Sequence, residues 1–157
     1  MSKSSFLSAN RKHLWGLLVT IASLCLGFTQ YQDKRQAILW SHQCLYFAFD
    51  AAEEPDLRKW ELNLTPDAFV RFRKTYANGR QEYYSFNLSR FKDIDYLGNT
   101  TKGTLRIKTL TDDIIVQTYN DRKGNVDSMS TSLKIPVKNM TAERLDSLLT
   151  AFNYIKK

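Results

Sequence analysis

Few residues of this chain could do chemistry. Two histidines, His13 and His42, and two cysteines, Cys25 and Cys44, are its full complement of those types. Ser41, His42 and Cys44 are sequence neighbours, and nucleophilic catalysis needs a nucleophile within hydrogen-bond reach of a base. A working triad also needs an acidic group to orient the base, and neither that nor a nucleophile elbow accompanies them. His42 therefore reads as a partly buried structural histidine and Cys44 as a small apolar core residue. Zinc as a rule takes three or four Cys or His ligands, more than the residues after the first thirty supply. Carboxylates cluster as Glu53, Glu54 and Asp56, as Asp93 and Asp95, and as Asp112 and Asp113. Asp93 and Asp95 are two apart and would share a strand face, as a general acid and base do, but solvated turn or edge positions account for all three groups. The stretch Asp121–Asp127 lacks the acidic spacing and distal glutamate of a calcium loop. No catalytic residue, metal or cofactor is expected.

Location is written more clearly. Residues Leu14 to Phe28 carry no charge, and Arg11, Lys12 and His13 stand directly before them. A basic flank and about fifteen apolar residues make a signal peptide. Extended through Thr29 and Gln30, the run approaches the roughly twenty residues of a spanning helix. Residues 1–30 are thus either a cleaved signal or an uncleaved signal-anchor, with an N-terminal hydrophobic helix expected in both. The flank keeps the N-terminus cytoplasmic and sends the rest across, so the domain is expected to be exported, periplasmic or membrane-anchored. Three of the 23 basic residues precede the run and none of the 16 acidic ones does, leaving the remainder an excess of four positive charges. That excess suits solubility and is too small for nucleic acid. Four Asn-x-Ser/Thr sequons occur, at Asn63, Asn87, Asn99 and Asn139.

Residues 31–56 read as a linker that contains a helix. Within 37–49, Ile38, Leu39, His42, Leu45, Tyr46 and Phe49 share one helical face, while Leu39, Leu45, Phe47 and Phe49 also fit a strand face; the uninterrupted run favours a helix, expected to end before Pro55. From Trp60 the pattern turns to strands: Trp60–Leu64, Ala68–Tyr76, Arg80–Leu88, Phe91–Leu97, Thr104–Leu110, Ile114–Tyr119 and a long one from about Val126 to Val137. Asn78-Gly79 marks a hairpin. A two-residue turn there would set Phe72 against Ser85. A type I turn with Gly79 as bulge sets Phe72 against Tyr84, Val70 against Phe86 and Ala68 against Leu88, gathering the apolar residues on one face. The opposite face then carries Phe69, Arg71, Arg73, Tyr83 and Ser85. A second hairpin is expected across Thr111–Asp113, with Leu105 and Ile107 facing Thr118 and Val116.

The last helix opens at Thr141, a capping residue, with Glu143 in its first turn. Met140 and Leu145 stand at the two positions of a hydrophobic staple. Leu145, Leu148, Leu149, Phe152 and Ile155 form its apolar stripe. Seven strands followed by one helix, over residues 57–157, resembles the pleckstrin-homology-like fold. The stretch from Phe86-Asn87-Leu88-Ser89 through Leu105-Arg106-Ile107 to the helix also resembles small exported bacterial domains without assigned activity. The resemblance implies a mainly β (α+β) domain, a bent seven-stranded antiparallel sheet or barrel capped by a C-terminal helix, and a tendency to bind.

The expected function is a non-enzymatic binding module. Its surface is the row Phe69, Arg71, Arg73 and Tyr83, because Arg and aromatics dominate binding hot spots. Its partners are the membrane, through the N-terminal segment, and a protein. An inhibitor or immunity protein is one form of this reading. The alternative is a small carboxylate-based hydrolase or lipid-handling enzyme, which needs Asp93 or Asp95 in a pocket beside His42.

Overall fold

The computed structural model describes residues 33–157. The apolar run Leu14–Phe28, and the helix expected there, lie outside the described residues. Among the described residues no helix is long and apolar enough to cross a membrane.

The described chain opens with α1, Lys34–Ala48, capped by Asp33, whose carboxylate accepts the Arg35 N–H at 2.6 Å. The helix stops at Phe49, six residues before Pro55. Its buried face is Ala37, Ile38, Ser41, Cys44, Leu45 and Ala48. Leu39 and Tyr46, expected beside Ile38 and Leu45, instead face outward, 54% and 46% exposed. The small residues explain the rotation. Ala37, Ser41, Cys44 and Ala48 recur at helical spacing on the buried side, and small side chains let α1 pack closely on the C-terminal helix and on the first strand.

Eight strands follow: β1 Leu57–Leu64, β2 Phe69–Tyr76, β3 Gln81–Asn87, β4 Phe91–Gly98, β5 Lys102–Thr109, β6 Ile114–Tyr119, β7 Asp127–Ser130 and β8 Ser132–Lys138. They form two antiparallel sheets, β1-β2-β3-β6-β7 and β4-β5-β8. The β2–β3 pairing takes the bulged register, with Val70 opposite Phe86 and Phe72 opposite Tyr84. Gly79 makes it possible: at φ 84° it sits in left-handed backbone, with Gly79 N donating to Tyr76 O and Tyr76 N to Arg80 O.

Three expectations are corrected. The closed or singly bent barrel of seven strands is replaced by two sheets of five and three. The long strand from Val126 to Val137 is two strands in different sheets, broken at Thr131, where Ser130 Oγ donates to Ser132 O. The hairpin across Thr111–Asp113 does not form. Both edges of β5 are taken, by β4 and β8, and both edges of β6, by β3 and β7. The chain instead changes sheets at the corner, where Leu110 N donates to Arg90 O and Thr109 Oγ1 to Thr111 O.

The core lies between the sheets and under α2, Ala142–Ile155, whose cap Thr141 accepts the Arg144 N–H at 3.3 Å. Leu148, Ala151, Phe152 and Ile155 are buried, and the Phe152 ring meets Phe91 edge-on at 5.2 Å. Leu145 and Leu149, on the flank of the stripe, are half-buried. Truncating a buried Phe removes its transfer energy and leaves a cavity. In a fragment beginning at Asp33, Phe152→Ala should cost about 3–5 kcal/mol in denaturant unfolding. Lys157→Ala, at the exposed end, should change nothing measurable.

Candidate functional site

Two surfaces of the five-stranded sheet carry its polar chemistry. The first is the outer face. Its register lays side chains in continuous rungs across the strands. One rung is Glu61, Arg73, Tyr83, Gln117 and Asp127, one residue from each strand in sheet order. The next is Asn63, Arg71, Ser85, Ile115 and Met129, and a third joins Thr75, Gln81 and Tyr119. The residues expected from sequence thus meet here. Arg73 lies 5.8 Å from the Tyr83 ring centroid and Arg71 5.6 Å from that of Phe69. Arg71 and Arg73 are exposed, and Phe69 and Tyr83 half-buried. Ser85, expected on this face, is there but buried, small between Arg71 and Ile115.

Sequence reasoning stopped at β2 and β3, because nothing local showed that β6 and β7 extend the face. They add Ile115, Tyr119 and Met129, which are 37%, 46% and 53% exposed. Tyr119 donates to Gln117 Oε1 at 3.1 Å, and Gln117 Nε2 to Asp127 Oδ1 at 3.3 Å. Two shallow depressions, about 420 and 190 Å³, share Arg73 and Tyr83 in their walls.

The second surface is on the inner side. Beyond Val70 and Phe72 the inner face of β2 continues with Lys74 and Tyr76, and that of β3 with Glu82 and Tyr84. These line a cleft of about 620 Å³ with Glu54 and, from the other sheet, Thr104, Lys134 and Pro136. Lys74 is buried, with its ammonium 2.9 Å from both Glu54 Oε1 and Glu82 Oε2. Tyr84 donates to Glu82 Oε2 at 3.1 Å, while the single proton of Tyr76 is shared between Glu54 and Glu82, each 3.1 Å away. Arg80 holds the other Glu82 oxygen at 2.9 Å and stacks 4.3 Å from the Tyr76 ring centroid.

This cluster was not found from sequence. Lys74 reads as one more polar residue of an alternating strand, and its partners are 8 and 20 residues away.

The electrostatics of the cleft oppose proton transfer. Burial alone would lower the Lys74 pKa, but the hydrogen bonds it donates to Glu82 and Glu54 outweigh it and raise it. Burial pushes Tyr76 and Tyr84 up to about 12, helped by the nearby carboxylates. Burial would raise Glu82, but Lys74 overcomes it and holds the carboxyl below its usual range. At neutral pH the lysine stays a cation, the phenols stay donors and Glu82 stays ionised. A general acid or base needs a pKa near the working pH, and none of these four has one.

The other candidates are dispersed. His42 Nε2 lies 3.1 Å from Leu62 O on β1. Asp95, on β4 of the other sheet, pairs with Arg106 and, at 2.6 Å, with Lys108, and these two hold its pKa down. Asp95 lines a cleft of about 610 Å³ that His42 does not border. Burial raises the Cys44 thiol pKa, against a reactive thiolate. Among the described residues no three His, Cys, Asp or Glu side chains are grouped to hold a metal.

Removing Lys74 alone would leave two carboxylates facing each other. Breaking a buried pair costs about 3–5 kcal/mol, and Lys74→Met should approach that in denaturant unfolding. Adding Glu54→Gln and Glu82→Gln should restore most of the loss. The depressed Glu82 pKa contributes stability above its unfolded value, near 4.5, that is lost as pH falls through the lower folded value. Stability should therefore drop below about pH 4.5 in the natural protein and drop less in Glu82→Gln, followed by acid titration of unfolding. Compared with known proteins, the chain matches no family model, no curated sequence and no solved structure.

Proposed function

We propose that this chain is an exported or membrane-anchored, non-enzymatic binding module that receives a protein partner on the outer face of its five-stranded sheet. The observation that carries the reading is the rung pattern. Arg71 continues through Ser85 into Ile115 and Met129, Arg73 and Tyr83 continue into Gln117 and Asp127, and Phe69 and Tyr119 stand on the same face. Arg, aromatics and Met are the types enriched where proteins meet. They stand on paired strands, so little backbone entropy is lost on docking. The cleft, lined by Glu53, Glu54, Glu82, Lys74 and Lys134, is a poor host for an acyl chain, which weighs against lipid handling. Two antiparallel sheets followed by a C-terminal helix are the part of the expected architecture present among the described residues. Membrane attachment rests on the uncharged run Leu14–Phe28 and its basic flank.

Two experiments test this. A photo-crosslinking amino acid at Tyr119 or Met129, in cells that make the protein, should yield a discrete adduct. Arg73→Gln, which puts no like charge opposite Glu61, should reduce the adduct at least tenfold with little change in the unfolding midpoint. Adducts no stronger than from a label at Lys123, on the exposed turn after β6, would remove the outer face as the docking surface. Separately, residues 1–35 fused to a reporter active only outside the cytoplasm should give activity. That activity should vanish when Leu17, Leu18 and Val19 become Asp, since charge at the centre of a membrane helix costs about 3 kcal/mol per residue.

A further inference from the structure

The helix α1 is apolar on two sides, one buried in the fold and the other largely exposed. Ala37, Ile38, Ser41, Cys44, Leu45 and Ala48 are buried. On the opposite side Leu39, Tyr46 and Phe47 are 54%, 46% and 68% exposed. At 1.5 Å per residue they extend along about 12 Å of helix. The Tyr46 ring packs 4.7 Å from Trp60 of β1 and 5.6 Å from Phe47, so three aromatics lie together at the end of the stripe. Lys34 and Arg35 are exposed at its start.

We infer that this side of α1 rests on the surface of the lipid bilayer. The inference depends on the reading of Leu14–Phe28 as a retained membrane anchor. Covalent reach selects the bilayer over other occupants. Five residues separate Phe28 from Lys34. At about 3.5 Å per residue, an anchored segment keeps the start of α1 within about 20 Å of the membrane boundary.

The chemistry fits the same surface. Tyr and Trp concentrate at the headgroup level, where an apolar ring and a polar edge are both satisfied. A helix lying in the interface places apolar side chains at the acyl boundary and basic ones among the phosphates. Leu39 and Phe47 supply the first, Lys34 and Arg35 the second. The domain would then be held by α1 as well as by its tether, with a fixed orientation to the membrane.

The test uses the full chain in vesicles of equimolar phosphatidylcholine and phosphatidylglycerol. A nitroxide is placed at Gln43, midway along the exposed side, or at Lys92 as a solvent control, in a Cys25→Ser, Cys44→Ala background shown to fold by circular dichroism. The label at 43 should collide with oxygen several-fold more than with a polar nickel chelate, and the label at 92 the reverse. Leu39→Ser with Phe47→Ser should return the label at 43 to aqueous behaviour while the chain still floats with the vesicles. If the chain floats but position 43 is as open to the nickel chelate as position 92, the inference is wrong and the anchor stands. Strong spin–spin broadening between labels at 43 would show a second copy on this side and would also overturn it. If the chain fails to float, the anchor reading falls and takes this inference with it.

Discussion

One backbone register organises the domain. In β2 and β3, residues of even number turn inward and residues of odd number outward, and the single extra residue at Gly79 aligns the two series. Because side chains alternate with a period of two, a slip of one would set Phe72 against Ser85 and mix apolar with polar on both faces. From the observed register follow Val70, Phe72 and Phe86 in the core, Lys74, Tyr76, Glu82 and Tyr84 in the cleft, and Arg71, Arg73 and Tyr83 outside. Core and surfaces are consequences of the same pairing read at successive positions.

The inner face changes character along its length, and the Lys74 cluster marks the change. Toward Val70 the face is fully buried, and the Phe72 ring meets Phe49 edge-on at 5.2 Å. Toward Tyr76 it opens, and a cation there must be paired or remain in water. Glu54 and Glu82 supply the pairing, and two phenols and Arg80 in turn bond those carboxylates. Glu54 comes from the short 3-10 segment after α1, so the cluster also ties that segment to β2. Such clusters add less net stability than apolar packing of equal volume. What this one adds is geometry, since only the native approach of Glu54 satisfies Lys74.

Local patterns were legible and distant partners were not. Asn78-Gly79, the apolar alternation of β2 and β3 and the Thr141 cap each act within a few residues, and each could be read directly. The sheet switches at Leu110–Asp113 and at Thr131 could not. The run before each reads as a strand and the run after reads as a strand, and nothing in either says which neighbour it pairs with. The α1 face failed for a related reason. Leu39 and Tyr46 are as apolar as Ile38 and Leu45, and only the small residues Ala37, Ser41 and Ala48 distinguish the side that meets α2. At the site, half of the outer face was visible because β2 and β3 are joined by a tight turn. The other half arrives from strands thirty residues onward.

Open sheets leave unpaired backbone at their borders, and such borders recruit foreign strands into aggregates. Here the helices contact the two long border strands, α1 against β1 and α2 against β4. The outer border of β8 is partly occupied by Phe49, which bridges to Val137, and by Asp50, whose N–H is accepted by Pro136 O. Pro136 itself has no N–H to offer. What remains is β7, four residues long and begun by an aspartate. A template so short holds few hydrogen bonds. Among the described residues, two sheets that never close into a ring therefore leave little backbone free for the addition of a foreign strand.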